Sequence, residues 1–383
     1  MRKFVHVAAG AGASLGVALG VSAWAPLAAA AEGGGGGAGA DHVVFVQTDG
    51  LTGNQVVAYD RADDGTLTWS ATYGTGGQGG QLNGSVVDHL ASQGSLSYDA
   101  SNGLLYAVNA GSNTVSVFAV NGDHLTLRQV VASGGTFPVS VAASGRLVYV
   151  LNAEGAGSIV GFRVAGGLLH PIPGSTRSLG LTIPSDTSQF THTPGQVAFS
   201  PDGSQLIVTT KGSSNAIDVF VLGPDGRPSA APVVNSEPGT VPFAVSFDPA
   251  GHLLVAEAGT NSLASFALTA DGIVTLLDVV GTGQAATCWV APAQGYFYTS
   301  NTGSSSLSGF LAAPNGHLTD LGNTTTDPGT VDAAASSGGQ FLYVQTGGNG
   351  VVDEFAVNAD GTLNGIGSVN VPGGAGGEGI AAA

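Results

Sequence analysis

Pro194-Gly195-Gln196-Val197-Ala198-Phe199-Ser200-Pro201-Asp202-Gly203 leads into Leu206-Ile207-Val208-Thr209-Thr210, then Ser213-Ser214-Asn215, an apolar run over 217–222, Pro224-Asp225-Gly226 and a last extended stretch over 232–235. These are four short strands separated by three turns. Pro and Gly at the turn positions preset the dihedrals that reverse the chain, and they end the strands on either side. Four antiparallel strands joined by hairpins form one blade of a β-propeller. Ile207 and Phe220 fall on the two middle strands, where large side chains fill the gap between neighbouring blades.

Working outward, the same unit recurs seven times. Its second strands carry Phe45, Tyr106, Tyr149, Ile207, Leu254, Tyr298 and Tyr343, each followed 12 to 14 residues later by Tyr59, Phe118, Phe162, Phe220, Phe266, Phe310 or Phe355. Turns such as Asp64-Gly65, Asp225-Gly226, Asp271-Gly272, Asn315-Gly316 and Asp360-Gly361 come next. An all-β repeat of this period predicts a seven-bladed β-propeller with four-stranded blades. The run Val43-Val44-Phe45-Val46 matches a second strand, whereas Gly379-Ile380-Ala381-Ala382-Ala383 resembles the innermost strand Val331-Asp332-Ala333-Ala334-Ala335. The C-terminal strand is therefore expected to complete the N-terminal blade, hiding the edges an open ring would expose.

Two spacings break the period. Phe45 and Tyr106 are 61 residues apart, Tyr149 and Ile207 are 58 apart, and the rest are 43 to 47. The excess lies at residues 73–89 and 174–193, as binding loops or as tolerated insertions. In a propeller these loops share one face with the residues that follow each second strand. That ring is mostly uncharged, and polar groups converging on a concavity make a binding site. Its ligand-binding candidates are Gln196, Asn109, Asn152, Asn301 and Asp332. Glu257, Lys211 and, in the second long loop, His192 are the candidates for chemistry, as carboxylate, cation and general base. Glu257 and Lys211 sit on adjacent units, which allows an ion pair; a structural pair or solvated rim charges are the alternative. Histidines at ligand spacing, an H-E-x-x-H and a G-x-S-x-G are absent, so neither a metal nor a cofactor is expected.

Composition narrows the partners. Acidic residues outnumber Lys and Arg by 26 to 9, giving a net charge of −17, a surface that repels nucleic acid. Arg2 and Lys3, the apolar stretch 5–27 and Ala28-Ala29-Ala30-Ala31 read as a Sec-type signal peptide over 1–31, followed by a Gly-rich spacer at 32–41 and the propeller domain at 42–383. The expected product is secreted, extracellular, not inserted in a membrane and monomeric, acting on a small molecule or an extracellular partner. Cys288 is the only cysteine, so no intramolecular disulfide forms, and its apolar setting predicts a buried small hydrophobe.

The segment from Pro194 to Gly203 with 206–211 resembles the bacterial lactonase family, that of the seven-bladed 6-phosphogluconolactonases and fungal carboxymuconate-cyclising enzymes. The resemblance runs over all seven units, and YVTN-type surface-layer propellers share much of it. It implies lactone hydrolysis. The family's segment typically reads Pro-Arg-His and ends in Glu, whereas this chain has Gly195, Gln196 and Lys211 there. The family's earlier histidine pair has no counterpart in Ser92-Gln93-Gly94-Ser95. Hydrolysis needs a base for water and cationic groups for an anionic substrate. The expectation is thus a secreted propeller of lactonase type, lacking the family's catalytic residues and serving as a binding or interaction module. The alternatives are an extracellular lactonase with a site rebuilt around His192, Lys211 and Glu257, or a cell-surface structural propeller. Export argues against a cytoplasmic phosphorylated lactone as substrate.

Overall fold

The computed structural model describes residues 42–383, so the expected signal peptide and spacer lie outside the described residues. Seven antiparallel sheets form the blades of a β-propeller. Blade 4 runs Gln196–Phe199, Gln205–Thr209, Ala216–Val221 and Val233–Ser236 from the axis outward, as the quoted stretch predicts. The turn expected at 213–215 is a helical turn, Lys211–Ser214, closed by Asn215 at φ +48°. Blade 3 carries a divided outer strand, because Leu168–Pro171 and Arg177–Ser178 both pair with Ser158–Ala165.

Ring closure follows the termini. In blade 1 the innermost strand is Ile380–Ala382, antiparallel to Val43–Gln47, with Val44 opposite Ala382 and Val46 opposite Ile380. Gln47 N–H donates to Gly379 O at 2.8 Å and Ala383 N–H to Val43 O at 3.0 Å. The edge backbone groups of the N-terminal strand are thereby paired.

The repeating aromatics have a second role beyond filling space. All fourteen anchor side chains are buried. Tyr149, Tyr298 and Tyr343 donate their hydroxyls to Gly226, Gly361 and Gly65 carbonyls at 2.6, 2.8 and 2.8 Å, each a turn glycine of the next blade. Gly361 has φ +81°, and a Cβ there would lie 2.7 Å from the Tyr296 ring, so only glycine lets the turn approach so closely. Each tyrosine latches one blade to its neighbour. Tyr298→Phe keeps the packing but leaves a buried carbonyl without its donor, a loss of about 1 kcal/mol. The melting temperature should fall by about 2 °C; calorimetry showing no change would mean that the latch adds nothing.

A candidate site above a plugged channel

Both long insertions lie between the outer strand of one blade and the inner strand of the next, residues 75–95 after blade 1 and 179–195 after blade 3. They meet each other. Asn83 N–H donates to Gln189 Oε1 at 2.7 Å, and Asn83 Nδ2 to Ser185 O at 2.9 Å. Gly84, at φ +87°, has Thr187 O where a Cβ would stand, so a larger residue would force the two loops apart.

The end of the first insertion, residues 91–94, turns into the central channel and blocks it. Gln93 pairs its side-chain amide with both backbone groups of Val290 in blade 6, at 3.0 Å each. Its N–H donates to Gly195 O beside blade 4 at 3.0 Å, and its carbonyl accepts from Ser140 Oγ in blade 3 at 2.7 Å. Ser92 donates its hydroxyl to Val139 O at 2.8 Å and also to Glu378, and it accepts the Trp289 indole N–H at 2.5 Å. Four blades thus hold the plug.

Above it, blades 4 to 6 and the two insertions line a cavity of about 450 Å³ that opens to solvent beside the exposed Val86. Its walls are chiefly apolar, with Val86, Val87, Phe190, Val241, Phe243 and Cys288 among them; Lys211 and Asp88 are its ionisable lining besides the thiol. Lys211 begins the helical turn of blade 4 in the left-handed region, φ +45°. That backbone costs an ordinary residue about 1 kcal/mol or more and persists only where surroundings fix it. Here they do. Nζ donates to Ala91 O in the first insertion and to Phe190 O in the second, both at 2.6 Å, and lies 5.0 Å from the centroid of Phe243. Phe243 packs in turn on Trp289 with centroids 4.8 Å apart.

Burial sets the titration of this cluster. It pulls the Lys211 amine below the ordinary lysine range, against the opposing charges of Asp88 and Glu378. It pushes the Asp88 carboxyl up, against Lys211 and the Ser85 hydroxyl. Glu378 is raised well above its usual value by burial and then by Asp88 and Asp49, and the Cys288 thiol is raised as well, first by burial.

The sequence candidates separate into three groups. Lys211 lines the upper cavity. His192 stands beside it, with the Gly212 Cβ position 3.4 Å from Nε2, but it is outside the lining; its Nδ1 lies 2.9 Å from Ser188 O. The possible ion pair of Glu257 with Lys211 is not formed, because Glu257 accepts from Ser262 at 2.7 Å and Thr260 at 3.1 Å within its own blade. Gln196 and Asp332 lie below the plug, in a separate cavity of about 330 Å³. Asn109 and Asn301 spend their amide N–H groups inside their blades: Asn109 donates to Thr114 and Ser116 while its Oδ1 accepts from Asn54 of blade 1, and Asn301 donates to Ser306 and Ser308. Asn152 has the same place in blade 3, but Val160 replaces the serine there, and both its amide atoms are buried without a partner. Asp88 escaped the sequence reading, since an insertion has no period to mark which of its residues point inward. Among the described residues, no group of three or more His, Cys, Asp and Glu could hold a metal ion.

No family model matches the chain, and no curated protein matches it either. Solved structures do. A Bacteroides uniformis protein provisionally assigned as a 6-phosphogluconolactonase superposes with a TM-score of 0.70 at 20% identity, over 89% of this chain and 99% of its own. The periplasmic gluconolactonase of Pseudomonas aeruginosa gives 0.70 at 19% identity, over 88% and 98%. The fold is that of the lactonase-like seven-bladed propellers. Virginiamycin B lyase of Staphylococcus aureus is more distant, at 0.52 and 12% identity over 76% and 88%. Likeness at these identities establishes architecture and leaves chemistry to the residues.

Proposed function

We propose that the protein is an exported binding module whose upper cavity takes a small, largely apolar ligand carrying one polar group. The observation that carries this reading is the cavity lining: aliphatic and aromatic walls around a single lysine and a single carboxyl, without arginine or histidine. Concave apolar pockets with a few placed polar groups are the common form of small-molecule sites. A phosphorylated sugar lactone would find one cation there, already bonded to two loop carbonyls. Export is supported by the N-terminal pattern, and among the described residues no helix is long and apolar enough to cross a membrane.

Titration of the chain from Glu32 onward with 1-anilinonaphthalene-8-sulfonate should give saturable one-site fluorescence, lost in Ala258→Trp, which fills the cavity. Non-saturable binding, or binding unchanged in the variant, would sink the reading. Lactone hydrolysis is a second reading, favoured by Asp88 standing in the same cavity as a buried carboxyl able to take a proton from water. Base-consumption assays on neutral and anionic lactones separate the two. Turnover lost in Asp88→Asn would favour the hydrolase, and rates at the buffer level would favour the binding module.

A further inference from the structure

Lys3 and Lys211 are the only lysines in the sequence, and every other Lys or Arg beyond residue 31 is an arginine. Surface lysines are ordinarily plentiful. Here the propeller's one lysine is 1% exposed and lines the upper cavity. Its hydrogen-bond count has a consequence for its form. An ammonium has three N–H donors and no lone pair, while a neutral amine has two donors and one lone pair. The carbonyls of Ala91 and Phe190 use two donors, and no third acceptor atom bonds Nζ among the described residues. The third tetrahedral position faces the ring of Phe243, where the ammonium sets its last N–H as a cation–π contact and the free amine, once that proton is lost, carries its lone pair. Burial in the apolar cavity is what favours the free amine, against Asp88 and Glu378. A desolvated lysine in an apolar pocket is a nucleophile toward carbonyl compounds.

We infer that Lys211 captures an aldehyde or ketone group of an apolar ligand in the upper cavity as an imine. The inference rests on the cavity being a site for apolar ligands and adds the polar group that the site selects. The Nζ lone pair bonds to the carbonyl carbon as the C=O π pair moves onto oxygen, which takes a proton. The nitrogen gives up its two hydrogens as C=N closes and hydroxide leaves as water. One carbonyl oxygen and two amine hydrogens thus depart as one water, and no oxidant or reductant takes part. Asp88, lining the same cavity, is the group that lends and recovers the proton. Because the neutral imine nitrogen keeps no N–H, capture also removes the donor from the carbonyls of Ala91 and Phe190.

Reductive trapping tests this directly. The chain from Glu32 onward is incubated with hexanal or benzaldehyde and cyanoborohydride at pH 7.5, and the glutamyl-endopeptidase fragment from Gly155 to Glu257, which contains Lys211, is weighed and sequenced by fragmentation. The expected result is one alkyl adduct on Lys211, formed at least about tenfold faster than on the same lysine in the guanidinium-unfolded chain, since each unit of lowered pKa is a factor of ten in free amine. Amide exchange in both insertions should rise with the adduct. Lys211→Arg, checked for an unchanged thermal transition, should be labelled only at its α-amino group. Lys211 left unmodified in the folded chain, or modified only after unfolding, overturns the inference. If hexanal still displaces anilinonaphthalene sulfonate, the failure is of imine chemistry alone. If neither binding nor adduct is found, the binding reading fails with it.

Discussion

Removal of residues 376–383 should abolish the cooperative fold, not trim it. The segment supplies the inner strand of blade 1, so its loss uncovers the edge of Val43–Gln47 and takes away Ile380, Ala381 and Ala383, which belong to two of the apolar clusters between blades. It also removes Glu378, which accepts the N–H and hydroxyl of Ser92 in the channel plug. Unpaired edge groups and lost burial add to several kcal/mol, a large share of the stability of an ordinary domain. We expect a fall in melting temperature of more than about 10 °C, or recovery only as aggregate. Moving the same eight residues to precede His42, joined through a Gly-rich turn of about four residues because Ala383 lies opposite Val43, should restore the transition if it is the pairing of the strand and not its place in the chain that matters. A truncated chain that melts as the full one does would refute closure by this strand.

The second large effect is on pH dependence. Asp49 and Asp332 are buried carboxyls, each pushed up to about 7 from an ordinary value of 3.8, with burial as the main cause. Backbone N–H groups of Ala333, Ile380 and Gly94 oppose the rise at Asp332, and the Glu378 N–H and Gln47 amide oppose it at Asp49. The folded state therefore holds protons that the unfolded state has lost. Their contribution is fully present below about pH 4 and disappears as pH rises through 7. A three-unit shift corresponds to as much as about 4 kcal/mol for one group. The protein should melt at least about 5 °C higher at pH 5 than at pH 8. Asp332→Asn, uncharged at both pH values, should narrow that gap. Lys211 offsets this trend only at the upper end of the range, because its lowered amine, at about 8, lets the unfolded state bind more protons from there upward. An equal melting temperature at pH 5 and 8 would mean that these carboxyls stay ionised in the fold.

How much of this was legible depends on what repeats. Strands, turns and aromatic anchors return at a fixed interval, so Tyr149, Tyr298 and Tyr343 could be placed on middle strands from the sequence alone. Their hydroxyl latches to the next blade could not, although the turn glycines that receive them were themselves part of the pattern. Closure was readable because residues 379–383 resemble another inner strand. The site was not. Lys211 reaches Ala91 across 120 residues and Phe190 across 21, and both partners are main-chain carbonyls, which no side-chain pattern reveals. Asn109 and Asn301 look like a polar ring in sequence, yet the serines and threonines five and seven residues on absorb their amides.

The plug at 91–94 also bears on kinetics. With the axis closed by Ser92 and Gln93, a molecule in the upper cavity has no exit through the hub of the ring and leaves on the side of the two insertions. Entry and exit then share the mouth beside the exposed Val86, and nothing held above the plug can cross the ring to its other face.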